Sequence, residues 1–375
     1  MDSDVLYLPQ EIIRNILKRL PVKSLIRFQC VCKHWRDLIK NTSFIADHLQ
    51  QSSHQKPYFL LKCNGSRSYS RWRLGLLDCG LQVRKVHRPP LINSSRDARI
   101  LGSCNGLLCV EINLYNNSPP LFSLWNPATT AVRRVPRTRA DGFQFDDSVT
   151  GFGFSPILND YKIVITYAEV YDAVNRVEVF SLNGGSWRVI DIGNLKGVKL
   201  YSQTVTANGA VFWYGEKLGA EEGEDEVEVI VSFDIAKEVF ALIPRPNLDY
   251  NADEKLTVYE NKLAILCEIW ENDDETADLI DLWVLDEGTC ASGETWSWTR
   301  RYTSSPFSRA LESMTMWRNE IICTPTSAED NEEGRNVLYS MNITTNEVKR
   351  FVVPNFGPIR SIYDYAESLV SVGNS

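Results

Sequence analysis

A pattern of short apolar strands and tight turns recurs about every 50 residues from residue 58 to near the end of this 375-residue chain. In five of the units a tight turn leads into an apolar strand; these segments begin at Asn105, Asn159, Asn208, Asn261 and Asn319. A second turn follows an Asp or Asn; these positions are Asp78, Asn126, Asn183, Asp234, Asp286 and Asn342, spaced 48 to 57 residues apart. Asn-Gly between apolar strands favours a hairpin, and an Asx side chain can bond to the backbone of the turn that it opens.

Four strands per unit at this period predict a β-propeller blade, and six Asx positions predict six blades. The first unit, after residue 58, lacks an inner strand, and a hairpin after residue 358 is left over at the end of the chain. We therefore expect strands from both termini to close the ring, which removes exposed sheet edges. The repeat offers five candidate strands for four places in the closing blade, and a β-sandwich is the alternative fold.

The first 47 residues have a different period. Ile12, Ile16 and Leu20 recur at helical spacing after Pro9, and Pro21 ends this run. We predict three short helices in residues 1–47, a linker over 48–57 and the propeller over 58–375, which makes an α+β two-domain fold. Helices this short lie near the lower size limit for independent stability, and their apolar residues cover more than one face. Part of this surface is therefore expected to contact a partner.

Two other interpretations of the helical segment are open. It could be a small cap that packs on the chain's own body. It could also be a DNA-binding helix-turn-helix, because residues 8–40 carry a net charge of +6. However, Trp35, Leu38 and Ile39 would then face the groove, where a recognition helix needs polar side chains.

The stretch "LPQEIIRNILKRLPVKSLIRFQCVCKHWRDLI" resembles the F-box, from the Leu-Pro opening through "RLPVKSL" to "VCKHWRDLI". The resemblance implies docking on an acidic Skp-type adaptor, and through it on a cullin and a RING protein. The adaptor contacts that it implies are Leu8, Pro9, Ile12, Ile16, Leu20, Pro21, Leu25, Val31, Cys32 and Trp35.

The repeat region is similar to the plant F-box-associated, kelch-like domain in "GSCNGLLCV", "LWNPATTAVRRVP", "GFGFSPILNDYKIV" and the closing "YAESLV". Within that family it resembles the S-locus and S-haplotype-specific F-box group, whose members determine pollen self-incompatibility. The resemblance implies a non-catalytic substrate receptor of an SCF-type ubiquitin ligase, with a secreted basic S-ribonuclease as one class of client. A cullin-independent adaptor and a propeller enzyme are the alternatives.

Motifs for catalysis and cofactors are missing from the sequence. The four histidines lie at or before residue 87, and neither a Gly-x-Ser-x-Gly elbow nor a phosphate-binding glycine loop occurs. Nine scattered cysteines without a Cys-x-x-Cys pair favour free thiols in a reducing compartment, hence the cytoplasm or nucleus. We expect no cofactor, no metal, no nucleic-acid partner and, without a long apolar run, no membrane partner.

Three segments concentrate the negative charge. Residues 216–228 and 271–281 each carry −6 and residues 326–335 carry −3, and each is expected between the second and third strand of its blade. Loops of that class share one face of a propeller, so we predict an acidic rim that attracts a basic client. They could equally be solvated loops that favour solubility. The client-contact candidates are Glu221, Glu222, Glu224, Asp225, Glu226, Asp273, Asp274, Glu275, Glu329 and Asp330.

Overall fold

The computed structural model describes residues 8–55, 58–63, 73–78, 80, 82–87, 98–114, 118–138, 148–168, 173–219, 225–248, 252–269, 279–290, 293–306, 311–325, 336–353 and 359–373. Within these residues the chain forms four helices followed by a ring of six four-stranded sheets. The predicted fold class, a small helical domain followed by a six-bladed propeller, is confirmed.

The helical domain (residues 8–55) contains α1 (Gln10–Leu17), α2 (Val22–Phe28), α3 (Lys33–Lys40) and α4 (Thr42–Gln55). Pro9 and Pro21 lie immediately before α1 and α2, where a missing backbone N–H leaves no helical hydrogen bond unmade. The thiol of Cys32 caps α3 and accepts a hydrogen bond from the Trp35 backbone N–H at 3.4 Å.

The fourth helix corrects the prediction of a linker over residues 48–57, because α4 continues to Gln55. The Asn41 Oδ1 accepts a hydrogen bond from the Ser43 N–H at 2.9 Å, as an N-cap does. Phe44 and His48, one turn apart, are both buried on the same face of α4. The segment is polar in composition, and among its described side chains only this pair is buried. Its apolar spacing is therefore too weak to predict a helix.

In the part of the chain that the structure describes, the propeller has 24 strands in six blades, each an antiparallel sheet. Blade 1 contains β24 (Ile359–Tyr365), β1 (Tyr58–Cys63), β2 (Arg73–Leu77) and β3 (Val83–His87). Blade 2 contains β4 (Ala98–Cys104), β5 (Leu107–Leu114), β6 (Ser118–Asn126) and β7 (Ala131–Arg134). Blade 3 contains β8 (Val149–Ser155), β9 (Asp160–Ala168), β10 (Val174–Ser181) and β11 (Ser186–Ile190).

Blade 4 contains β12 (Val198–Ala207), β13 (Ala210–Lys217), β14 (Val227–Asp234) and β15 (Val239–Pro244). Blade 5 contains β16 (Ala252–Tyr259), β17 (Lys262–Ile269), β18 (Leu279–Cys290) and β19 (Gly293–Thr303). Blade 6 contains β20 (Leu311–Trp317), β21 (Glu320–Pro325), β22 (Asn336–Asn342) and β23 (Val348–Val353). The first strand given for each blade is the innermost, and the innermost strands of neighbouring blades contact one another in a closed cycle.

Ring closure uses both ends of the chain. The C-terminal strand β24 pairs antiparallel with β1, from Tyr58 opposite Tyr365 to Cys63 opposite Ile359. The expected closure is confirmed, but the expected hairpin after residue 358 is wrong. After β24 the chain continues as an irregular segment, residues 366–373, which we call the C-terminal strap. The closing blade therefore holds four strands, and the surplus fifth candidate is not one of them.

One apolar cluster fills the space between each pair of neighbouring blades. Successive residues of a strand point to opposite faces, so one strand feeds two clusters. In β9, for example, Ile163 and Ile165 pack towards blade 2 while Val164 packs towards blade 4. This two-sided burial explains why the second strands are almost continuously apolar rather than alternating.

Four of the six predicted Asx turns are confirmed. The Oδ1 atoms of Asp78, Asn126, Asp234 and Asn342 each accept two backbone N–H hydrogen bonds from the turn after the third strand. This local bonding fixes where each third strand ends.

At the other two positions the Asx residue does not open the turn as predicted. In blade 3 the strand ends at Ser181, whose Oγ accepts the Gly184 N–H at 2.9 Å, two residues before Asn183. In blade 5 Asp286 lies inside β18, where its carboxylate accepts a hydrogen bond from the Thr299 hydroxyl at 2.6 Å. A serine hydroxyl can replace an Asx oxygen, and a longer hairpin moves the turn outward, so the Asx residue alone does not locate the turn.

Candidate protein-interaction surfaces

The apolar side chains of the helical domain separate into a buried and an exposed set. Its core contains Leu17, Val22, Leu25, Ile39 and Phe44, all at most 1% exposed. On the outside, Leu8 is 53%, Ile12 45%, Ile16 49% and Val31 60% exposed. Ile12 and Ile16 are four residues apart and so lie along one side of α1, and Leu8 precedes Ile12 by the same spacing. A row of exposed large apolar side chains is typical of a protein-interaction site.

The predicted adaptor contacts fall into three groups. Seven are exposed: Leu8, Pro9, Ile12, Ile16, Pro21, Val31 and Cys32. Leu20 and Trp35 are half-buried and pack against the core of the helical domain, with the Trp35 ring 5.4 Å from that of Phe28. Leu25 is completely buried, so its assignment as a contact residue is wrong.

The neighbouring Ile26 is not among the predicted contacts. It is 36% exposed, while Leu25 is 0% exposed, because the two side chains lie about 100° apart around α2. Helical spacing does not separate the two, because Leu25 and Ile26 lie three and four residues after the buried Val22, and both spacings bring side chains to neighbouring positions of a helix.

The helical domain packs on one face of the propeller. Four antiparallel strands return the chain to the face where a blade began, so the inner strands all start on one face and end on the other. Ala128, in the turn between β6 and β7, and Leu369, just after β24, both pack with the core of the helical domain. The helical domain therefore lies on the face where the inner strands end, which we call the helical-domain face.

His48 lies at this junction. Its Nε2 atom lies 3.0 Å from the Leu20 carbonyl oxygen, and its ring stacks on Phe44. Burial lowers the pKa of the His48 imidazole, an effect that the hydrogen bond to Leu20 and the nearby Glu367 carboxylate only partly oppose. The neutral ring is therefore part of the packing between the two domains.

The three acidic segments all join a second strand to a third strand, as expected. They connect β13 to β14, β17 to β18 and β21 to β22. The strand ends that these segments join lie on the face where the inner strands start, opposite the helical domain. The client candidates Glu221, Glu222, Glu224, Asp273, Asp274, Glu275, Glu329 and Asp330 lie outside the described residues.

Asp225 and Glu226 are described, and both are exposed. A hydrogen bond to Glu216 raises the pKa of the Glu226 carboxyl, and the like charge of Glu216 adds to this effect. The Tyr201 hydroxyl donates a hydrogen bond to Glu216 Oε2 at 2.7 Å and lowers the pKa of that carboxyl. Two carboxyl groups therefore compete for protons at this edge of the propeller.

Asp281, at the end of the second acidic segment, does not belong to an exposed rim. Its side chain is completely buried and pairs with Arg300 at 3.4 Å. Being at the start of β18, it faces the interior of the blade rather than the loop. Asp281 is therefore excluded from the predicted acidic rim.

The inner strands enclose a central cavity of about 860 Å³ with charged groups at its wall. The Lys255 Nζ contacts Glu312 Oε1 at 2.8 Å and the Ser313 carbonyl oxygen at 2.9 Å. The Arg99 guanidinium pairs with Glu111, and the Lys62 Nζ donates to the Ala98 carbonyl oxygen at 3.0 Å. These contacts join inner and neighbouring strands, so we assign the polar lining to holding the ring together.

Among the described cysteines, Cys109, Cys267 and Cys323 are buried free thiols, as expected, whereas Cys30 and Cys32 are exposed on the helical domain. The described residues contain no group of three or more His, Cys, Asp or Glu side chains placed to hold a metal ion. None of the described helices has the length and apolar character needed to span a bilayer.

Comparison with known families matches both parts of the chain. Residues 5–46 match the F-box domain, and residues 78–372 match the F-box associated beta propeller domain. The helical domain therefore corresponds to the F-box, and the second match includes the C-terminal strap up to Val372.

The chain is also similar to proteins from Arabidopsis thaliana that are named as F-box proteins. A protein named as an F-box/kelch-repeat protein is 27% identical over 307 residues, which cover 78% of this chain and 78% of the relative. The F-box protein CPR1 is 25% identical over 328 residues, which cover 79% of this chain and 72% of the relative. With the family match covering most of its length, the chain belongs to the F-box proteins that carry an F-box associated β-propeller domain.

Proposed function

We propose that this protein is the substrate-recognition subunit of an SCF-type ubiquitin ligase. The helical domain binds a Skp-type adaptor, and through it a cullin and a RING protein, while the propeller binds a protein client. The observation that carries the proposal is the exposed apolar set of Leu8, Ile12, Ile16 and Val31 on a domain with the F-box pattern. The basic charge of residues 8–40 suits an acidic adaptor.

The adaptor interface is tested by replacing exposed side chains only. Ile12→Ala with Ile16→Ala should weaken adaptor binding at least 30-fold, because burying such a side chain stabilises a complex by about 1.5–3 kcal/mol. Val239→Ala with Val348→Ala, at two exposed apolar positions of the propeller rim, is the matched control. Adaptor affinity measured by calorimetry decides between them, and wild-type affinity in the Ile12/Ile16 variant would refute the interface.

Replacement of Leu20 and Trp35, two of the predicted adaptor contacts, by Ala is a poorer test. Both side chains pack against the core of the helical domain, so the substitutions would unfold that domain and remove contacts at the same time. Exposed positions separate the two effects.

We propose that the client binds on the face opposite the helical domain, at the loops that include residues 216–228, 271–280 and 326–335. The strand order supports this placement, because the three loops have equivalent positions in neighbouring blades. A basic client would be attracted by them, with an S-ribonuclease as the class to test first for a role in pollen self-incompatibility. Separation from the adaptor by the thickness of the propeller leaves room for both partners at once.

The client face is tested by association rates. Asp225→Asn with Glu226→Gln should slow client association and flatten its dependence on salt, because the screening length is about 8 Å at physiological ionic strength. Glu347→Gln, in a turn on the helical-domain face, is the control. Equal salt slopes for wild type and variant would show that the acidic loops are only solvated surface.

We also propose that the chain itself is non-catalytic, works in the cytoplasm or nucleus, and relies on the other ligase subunits for ubiquitin transfer. Its own role is to hold the client beside the adaptor. Mass spectrometry of reconstituted reactions should detect client–ubiquitin conjugates only when the cullin and RING subunits are added. Conjugates formed without them would contradict this assignment.

A further inference from the structure

The C-terminal strap, residues 366–373, runs from the end of β24 across blade 2 towards blade 3. The Asn126 Nδ2 donates hydrogen bonds to the carbonyl oxygens of Ser368 at 3.0 Å and Val370 at 2.9 Å. The Arg133 Nη1 donates to the Val372 carbonyl oxygen at 3.4 Å. Val370 and Val372 pack into the apolar cluster between blades 2 and 3. The strap is thus bound to the propeller along its whole length.

One residue of the strap points away from the propeller. Leu369 is only 8% exposed, and it packs with Leu17, Leu25 and Phe44 in the core of the helical domain. Its neighbours Ser368 and Val370 are the residues whose carbonyl oxygens Asn126 holds. The backbone on either side of Leu369 is therefore bonded to the propeller, while the Leu369 side chain completes the core of the helical domain.

Asn126 has a task that the equivalent Asx residues lack. Like Asp78, Asp234 and Asn342, it uses Oδ1 to accept the N–H groups of its own turn. Its Nδ2 provides both hydrogen bonds to the strap, which an aspartate cannot do because it has no donor. Aspartate is adequate for the turn, as blades 1 and 4 show, so the amide at position 126 is needed for the strap.

We infer that Asn126 and Leu369 are positioning residues for adaptor binding: the strap, held by Asn126, inserts Leu369 into the helical domain and so makes its adaptor surface depend on a closed propeller ring. This inference rests on the proposed function for its adaptor readout. The dependence of the helical domain on the strap is a property of the protein without adaptor. It is measured separately, by amide hydrogen exchange in α1–α4.

The first test compares Asn126→Asp with Asn342→Asp in the full chain. Both variants keep the oxygen that the turn needs, but only Asn126→Asp removes the two donors and places a carboxylate against two carbonyl oxygens. Amide hydrogen exchange in α1–α4 should accelerate at least tenfold in Asn126→Asp and stay at the wild-type rate in Asn342→Asp, while the inner strands of blades 4 and 5 are unchanged in both. Unchanged exchange in α1–α4, or equal acceleration in all blades, would overturn the inference.

The second test concerns the side chain alone. Leu369→Ala should weaken binding of purified Skp-type adaptor at least tenfold, and Leu369→Met, which keeps the volume, should restore most of it. The backbone hydrogen bonds from Asn126 remain in both variants, so the melting temperature of the propeller should be unaffected. Wild-type adaptor affinity in Leu369→Ala would overturn the inference. If wild-type protein fails to bind the adaptor, the proposed function falls, whereas hydrogen exchange still decides the coupling.

Discussion

The helical domain and the propeller both contain many apolar residues but differ in how many of them they bury. Five large apolar side chains between residues 8 and 31 are at least 36% exposed, whereas the exposed ones of the propeller are scattered over its rim and turns. Each propeller blade has a neighbour on both sides, because the ring closes on itself. The helices have the propeller on one side and solvent on the other. A closed ring thus buries most of its own apolar surface, whereas a small domain docked on it leaves part of its apolar surface exposed.

The helical domain depends on the propeller for part of its core. The core of the helical domain includes Leu369 and Ala128, which belong to the propeller region of the chain. By contrast, none of the propeller's six clusters includes a described residue of the helical domain. We therefore expect substitutions to destabilise the helical domain more readily than the propeller, unless they open the ring.

Opening the ring should have the largest effect. Deleting residues 359–375 removes β24, which leaves the edge of β1 unpaired, and also removes the buried Tyr365 and the strap. The expected loss exceeds the 5–15 kcal/mol by which a typical domain is stable, so the truncated protein should be insoluble or unfolded. Calorimetry and size-exclusion chromatography measure this, with deletion of residues 374–375 as control. A monomer that melts like wild type would contradict closure by β24.

Within the helical domain, a buried residue of α2 and its exposed neighbour should differ in their effect on stability. Leu25→Ala should destabilise that domain by about 2–5 kcal/mol, as expected for a cavity in a core. Ile26→Ala should change its stability by less than about 0.5 kcal/mol, since the side chain is partly exposed. Hydrogen exchange of α1–α4 measures both. Equal effects of the two substitutions would mean that the boundary between core and surface is misplaced.

Two equivalent glycines test the strap from the propeller side. Gly106 and Gly209 each follow an asparagine in the first turn of a blade, with φ of +77° and +76°. A Cβ on Gly106 would lie 2.5 Å from the Ala366 carbonyl oxygen, whereas one on Gly209 would have its nearest neighbour, Pro156, at 3.5 Å. Gly209→Ala should therefore cost about 1–2 kcal/mol for its backbone alone.

Gly106→Ala should cost the same plus about 1–3 kcal/mol for displacing the strap. Urea unfolding monitored by the fluorescence of the buried tryptophans compares the two variants. If both lose the same stability, the strap is not pressed against the turn at Gly106.

The smallest expected effect is a pH dependence confined to the helical domain. Because the pKa of His48 is lowered from 6.5 in the folded state, the unfolded state binds more protons below pH 6.5. The stability of the helical domain should therefore be complete above about pH 6.5 and fall as the pH decreases towards the folded pKa. Hydrogen exchange of α4 between pH 5.5 and 7.5, corrected for intrinsic rates, measures it, and His48→Gln should flatten the slope. An unchanged slope would assign the dependence to another group.

Local chemistry made much of the architecture predictable. Asn-Gly turns and Asx residues at a period near 50 residues indicated six blades, because such turns bond within a few residues of themselves. The spacing of Ile12, Ile16 and Leu20 indicated the first helix in the same way. Where another local group could do the same work, as Ser181 does beside Asn183, the prediction was displaced by two residues.

The tertiary structure alone decided which residues the two domains share. Leu25 and Ile26 have similar side chains, yet one is buried and the other exposed because of where α2 faces the core. Asn126 cannot be told from Asp78 or Asp234 by its turn, and its partner Ser368 lies 242 residues away. The repeated turns, the helical period and the number of blades can all be predicted from the sequence, because each depends on residues that are close together in the chain. The strap and the docking of the helical domain depend on contacts across the whole chain, which only the folded ring brings together.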